Sequence, residues 1–126
     1  MLLSAAAGRA ARRVFEGGFD IKVVTTEATL AEVEEYLPTI ADQYGLPAAQ
    51  LTRVLAELSL IVYGQPVYET ALPEATKRIG ARDPDDAALL ALALVLGCPV
   101  WTNDRDFEDV GVSTYTTAQL LKTLAS

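Results

Sequence analysis

Apolar positions along the chain fall into two spacings, and each spacing marks a kind of element. Leu30, Val33 and Leu37 follow at three- and four-residue steps, the period of one helix face. Thr25 or Thr26 supplies an N-cap hydroxyl ahead of them, and Glu27 places a charge in the first turn. Pro38 either kinks this helix or opens a second one. Gly45-Leu46-Pro47 breaks the pattern, with Pro47 suited to the first turn of the next helix. Leu51, Val54, Leu55 and Leu58 make the apolar face of that helix. Helix-forming residues also run from about Leu2 to Phe15, closed by Gly17-Gly18, and from about Tyr68 to Ile79, where Pro73 weakens the first half. Asp83-Pro84-Asp85-Asp86 opens a strong helix that ends at Gly97, and Thr117 caps a last one to about Leu124.

Short continuous apolar runs stand between these helices. Ile21-Lys22-Val23-Val24, Leu60-Ile61-Val62-Tyr63, Pro99-Val100-Trp101-Thr102 and Val112-Ser113-Thr114-Tyr115 read as buried strands. Strands alternating with helices predict an α/β fold with a mostly parallel sheet. No linker, low-complexity stretch or internal repeat divides the chain, so residues 1–126 read as a single domain. In such sheets the ligand site lies beyond the carboxyl ends of the strands. That directs attention to the residues just after Val24 and just after Thr102.

Composition narrows the chemistry. Half of the 126 residues are apolar (51%), enough for a core. The balance is acidic, 10 Lys+Arg against 17 Asp+Glu, a formal charge of −7. Taken alone, this argues against gripping nucleic acid by phosphate neutralisation, but a bound cation reverses the sign locally. The chain has no histidine and one cysteine, Cys98, between Gly97 and Pro99. Disulfide frameworks, Cys/His zinc sites and histidine-based dyads or triads are thereby excluded, and Cys98 reads as packing. No secretory signal is evident: the apolar start is short and Arg9, Arg12 and Arg13 follow it. A cytoplasmic protein is the expectation. Acid–base or metal chemistry falls to carboxylates, hydroxyls and water.

Three carboxylates stand where an α/β site would lie. Asp104 comes two residues after Thr102, at a strand end, where a turn aspartate is the alternative. Asp86 is in the first turn of its helix, where acids also serve simply to stabilise the helix end. Glu32 lies one turn into the helix after the first strand, beside Glu34 and Glu35, and nothing local singles it out from a solvated face. Together they deliver oxygen ligands to one end of the sheet, a set suited to Mg2+ or Mn2+. Such an ion supports phosphodiester hydrolysis.

The segment from Asp83 to Phe107, with Asp86-Ala87-Ala88 opening a helix and then Gly97, Pro99, Thr102, Asp104 and Asp106-Phe107, resembles the carboxyl half of a PIN domain. Thr25-Thr26-Glu27-Ala28-Thr29-Leu30-Ala31-Glu32-Val33 resembles the family's glutamate-bearing helix. The resemblance covers nearly the whole chain. It implies a three-layer α/β/α fold and a Mg2+- or Mn2+-dependent ribonuclease, many relatives being toxins paired with an antitoxin protein. It also implies a metal site on Glu32, Asp86 and Asp104, with Asp106 as a supporting acid. Arg9, Arg12, Arg13 and Arg105 are either contacts to RNA phosphates or ordinary surface charges paired with the excess acids.

The family's first aspartate, which ends its first strand, has no counterpart, because Met1-Leu2-Leu3-Ser4-Ala5 resembles the stretch just after that motif. The expectation is a chain lacking the N-terminal strand, with its neighbours left unpaired. A start upstream, an inactive natural truncation, and a strand supplied by a second copy each account for this, and the last makes the chain a homo-oligomer. The alternative to an enzyme is a catalytically degenerate PIN-like module that binds a protein partner. A receiver-type domain fits poorly, since Lys122 lies in the final helix, and a serine hydrolase would need a histidine.

Overall fold

A computed structural model describes residues 11–79, 84–103 and 107–125. The first described helix, α1 (Arg12–Glu16), ends at Gly17; the rest of the helix expected from Leu2 lies outside the described residues. Strand β1 (Val23–Thr26) leads directly into α2 (Glu27–Gln43). Thr26 is the N-cap: its hydroxyl accepts the Thr29 N–H at 2.9 Å, which satisfies a donor that the helix itself cannot. Pro38 lies inside α2 without dividing it. Glu34 and Pro38 are both exposed, so the carbonyl that loses its N–H partner there faces water. The helix closes in a Schellman turn: Leu46 N–H bonds Ala41 C=O at 2.9 Å, Gly45 N–H bonds Asp42 C=O at 3.1 Å, and Gly45 takes φ 65°.

Helix α3 (Ala48–Glu57) buries Leu51 and Leu55, while Leu58, which its periodicity includes, is an extended C-cap one residue beyond. Strand β2 (Leu60–Tyr63) follows, then the short helix α4 (Gln65–Tyr68), a 3-10 turn (Glu69–Ala71) and α5 (Leu72–Ile79). The single helix expected over this stretch is thus two pieces, and Pro73 sits in the first turn of the second, where its missing N–H costs nothing. Helix α6 (Pro84–Leu96) is apolar on nearly every side and buries Leu90, Ala91 and Leu92 almost completely, as befits a helix with neighbours all round. It packs against β1, α2, α4 and α5. Strands β3 (Val100–Trp101) and β4 (Thr114–Tyr115) and helix α7 (Thr117–Leu124) complete the order. The last cap is Thr116, not Thr117, and forms a reciprocal capping box with Gln119.

Both strand ladders are parallel. β1 pairs with β2, Val23 opposite Leu60 through Thr26 opposite Tyr63, and β3 pairs with β4, Val100 opposite Thr114. The α/β architecture agrees with the sequence pattern. The single sheet, however, is two separate two-stranded sheets among the described residues. Side chains link them instead. One core cluster gathers α6 with Tyr68, Ala75, Val100, Phe107 and Val110, and takes in Val24 of β1. A second lies between α2 and α3, around Leu37, Ala41, Leu51 and Leu55. Among the described residues, no helix is long and apolar enough to cross a membrane.

Candidate metal site at the strand ends

The carboxyl end of β1 becomes α2 without a loop, so the first turns of α2 stand directly above the strand end. Glu32 is half-buried one turn after Thr29. Asp86 is half-buried in the first turn of α6 and lies one turn before Leu89. α2 and α6 pack directly on one another, and Thr29 and Leu89 line one cavity. Residues three apart share a helix face, so Glu32 lies on the side of its helix that carries Thr29, and Asp86 on the side that carries Leu89. Two of the expected acids are thus carried by helices that pack together. Asp104 and Asp106 lie outside the described residues, as do Arg9 and Arg105. No group of three or more metal-ligating side chains forms among the described residues.

The residues on either side of the segment 104–106 are tied into the fold. Before it, Thr102 N–H donates to Tyr115 C=O at 2.9 Å, and Asn103 Oδ1 accepts the Thr117 N–H of α7 at 3.1 Å. After it, Phe107 is buried in the α6 core. Trp101 adds a further tie, its indole N–H donating to Thr117 Oγ1 at 3.0 Å and its ring resting 5.7 Å from that of Phe15. Half-buried and tied in this way, it is a packing residue.

A further carboxylate stands at the end of β1. Glu27 is exposed at the junction of β1 and α2, and a Cβ placed on Gly64 would lie 3.5 Å from both of its oxygens. Gly64 ends β2, so Glu27 bridges the ends of the two paired strands. The sequence marked it only as a first-turn charge. Its position immediately after the last strand residue is the signal that could have found it.

The donor set is wholly carboxylate, with neither imidazole nor thiolate at hand. That is the chemistry of a site for a hard divalent cation. Arg12, by contrast, turns its guanidinium to Glu16 one turn on, 3.3 Å away, and Arg13 is exposed beside it. Cys98 is half-buried, in the wall of the cavity between the sheets.

The family model of the PIN domain matches residues 1–125. The chain belongs to the PIN-domain family. Nuclease-like function is general in this family, as are dependence on a divalent metal and binding to RNA. No curated protein and no solved structure matches the chain significantly. For a PIN domain, acids on the helix after a strand, at a helix start and beyond a strand end are what a nuclease site of this donor type requires.

Proposed function

We propose that this PIN domain is a metal-dependent endoribonuclease that hydrolyses RNA phosphodiester bonds, of the kind that serves as the toxin of a toxin–antitoxin pair in the cytoplasm. The observation that supports this is the packing on one another of α2 and α6, the helices that carry Glu32 and Asp86, in a chain without histidine. Glu32, Asp86 and Asp104 would hold Mg2+ or Mn2+, with Asp106 as a supporting acid. When bound, the ion supplies positive charge that offsets the acids and the phosphate and makes water a stronger acid. The carboxylates orient that water by accepting its hydrogen bonds, and no side chain here is needed as a covalent nucleophile. Arg9, Arg12, Arg13 and Arg105 are the candidate phosphate contacts. The antitoxin protein is the expected partner. Self-association is part of the same proposal, favoured by Ile61 and Val62, each about 40% exposed on the β2 edge.

Mn2+ calorimetry joined to cleavage of an end-labelled RNA tests this. Mn2+ binding and internal cleavage are expected of the wild type, and Asp86→Asn or Asp104→Asn should remove both. Cleavage that survives both substitutions and chelation would refute it. A second reading is a catalytically silent PIN-like module that binds a protein partner. It is favoured by the lack, among the described residues, of any group of three metal-ligating side chains. Such a module has no use for the cation, so tight Mn2+ binding separates the two.

A further inference from the structure

Strand β2 is paired with β1 alone among the described residues, so its other edge carries a bare row of N–H and C=O groups. Alternation sends its four side chains to two faces. Leu60 packs against the α2–α3 cluster and Tyr63 against the α6 cluster. Val62 shares the face of Leu60, and Ile61 that of Tyr63, yet both are exposed. The edge is thus flanked by apolar surface above and below.

A solvated edge is the ordinary alternative, and folds that keep one guard it with a lysine, a proline, a bulge or an inward charge. β2 has none of these. Leu60-Ile61-Val62-Tyr63 holds no charge and no proline, and its register with β1 runs without interruption. Its remaining restraint is its length of four residues, which makes any pairing weak and dependent on concentration.

Charge decides the occupant. The chain carries −7 overall, yet no residue from Leu58 to Tyr68 is charged, and Glu57 and Glu69 stand at the two limits. A basic segment finds no acid along the edge to hold it, and an acidic one meets a glutamate at either end. The same neutral stretch of a second copy fits, provided that the strands run antiparallel. Aligned in parallel, two copies would set Glu57 beside Glu57 and Glu69 beside Glu69. Antiparallel pairing carries each away from its counterpart, to opposite ends of the shared edge. It is also the direction in which one edge complements itself about a two-fold axis.

We propose that two copies of this chain pair β2 with β2 antiparallel about a two-fold axis, building one sheet in the order β1-β2-β2-β1. This rests on the self-association proposed above and names its surface. Opposed residues share a face, so each stands opposite a residue of like parity, and the axis passes through Ile61 or through Val62. The antiparallel order turns the carboxyl ends of the two β1 strands to opposite ends of the shared sheet, which keeps the two candidate metal sites apart.

Sedimentation of the full chain over a concentration series tests this, with Val62→Lys and Val62→Glu beside the wild type. Each variant replaces an exposed side chain, and circular dichroism checks the fold. The wild type should dimerise as concentration rises. Each variant alone should dimerise about tenfold more weakly, since it sets like charges near the axis. An equimolar mixture of the two should recover the dimer. In a Cys98→Ser background with oxidised glutathione, either Ile61→Cys or Val62→Cys should form a disulfide-linked dimer, but not both, because only the residue on the axis meets its own counterpart within disulfide reach. A wild type that stays monomeric throughout would overturn the proposal, and the self-association with it. A dimer that neither charge disturbs, a mixture that fails to recover it, or a cross-link at neither position would overturn edge pairing and leave self-association to another surface. Mn2+ binding, which tests the nuclease reading, is measured separately and is expected to be the same in all of these variants.

Discussion

Thr26 joins β1 to α2, and removing its hydroxyl while keeping its shape isolates what that join is worth. The side chain has 0% exposure; Oγ1 accepts from Thr29 N–H and donates to Thr29 Oγ1, each at 2.9 Å. Thr26→Val retains the branched volume and the extended backbone that suits a strand end. It loses the N-cap, about 1 kcal/mol with a range of roughly 0.5–2, and leaves a part-buried N–H without that acceptor. A net loss of about 1–2 kcal/mol is expected, or roughly 3–8 °C in Tm for a domain of this size. Thr26→Ser keeps the hydroxyl and loses only a buried methyl group, about 1 kcal/mol. The assay is urea unfolding followed by far-UV circular dichroism, with m unchanged across the series. Thr29→Ala should cost less in the Thr26→Val background than in the wild type, since the shared hydrogen bond is then already gone. A Thr26→Val chain as stable as the wild type would refute the reasoning. The start of α2, and with it Glu32, would then be held by packing alone.

Pro38→Ala restores a helix N–H at an exposed site inside α2, and should raise stability by about 1–3 kcal/mol in the same urea assay. Asn103→Ala removes the acceptor of the Thr117 N–H; a loss of about 1 kcal/mol is expected, together with weaker Mn2+ binding by calorimetry, because the stretch leading to Asp104 is released. Glu74 is held below its ordinary carboxyl value of 4.5, first by the hydrogen bond from Arg78 and then by its charge. A depressed value in the folded state stabilises above the unfolded value and is lost as pH falls through the folded one. Glu74→Gln should therefore differ from the wild type at neutral pH and converge with it in acid, by a small, salt-sensitive amount in pH-dependent thermal melts, since the carboxylate is exposed.

How far the sequence was legible depended on whether a feature was local. β2 and α6 were readable almost to the residue, because Gly64 and Pro66 bound one, and Asp83-Pro84 and Gly97 bound the other. β1 was displaced by two residues. Hydrophobicity marked it from Ile21, whereas the register is set by its partner, with Val23 opposite Leu60, and Ile21 and Lys22 stay exposed. Pro38 read as a break because the pattern carries no record of which carbonyl faces water. Glu32 was indistinguishable locally from Glu34 and Glu35; only its half-burial in the fold separates it. Nothing in the sequence marked the role of Asn103, since its partner lies 14 positions along the chain. Glu27 gained its meaning only when the sheet set Gly64 against it.

The division of the sheet into two pairs has a consequence for cooperativity. Residues 23–63 form a contiguous β-α-α-β unit with its own apolar cluster between α2 and α3. The other pair is organised around α6, and among the described residues the two halves communicate through side-chain packing on that helix, with no shared backbone ladder. Packing contacts can be exchanged for water one at a time, whereas a continuous ladder tends to fail as a unit. Each half is thus a candidate foldon, able to open at a free energy below that of global unfolding. The only tryptophan, Trp101, belongs to the β3 half, while the longest described helix, α2, belongs to the other. Indole fluorescence and helical ellipticity therefore watch opposite sides of the same seam, and any separation of their transitions measures how tightly α6 holds it shut.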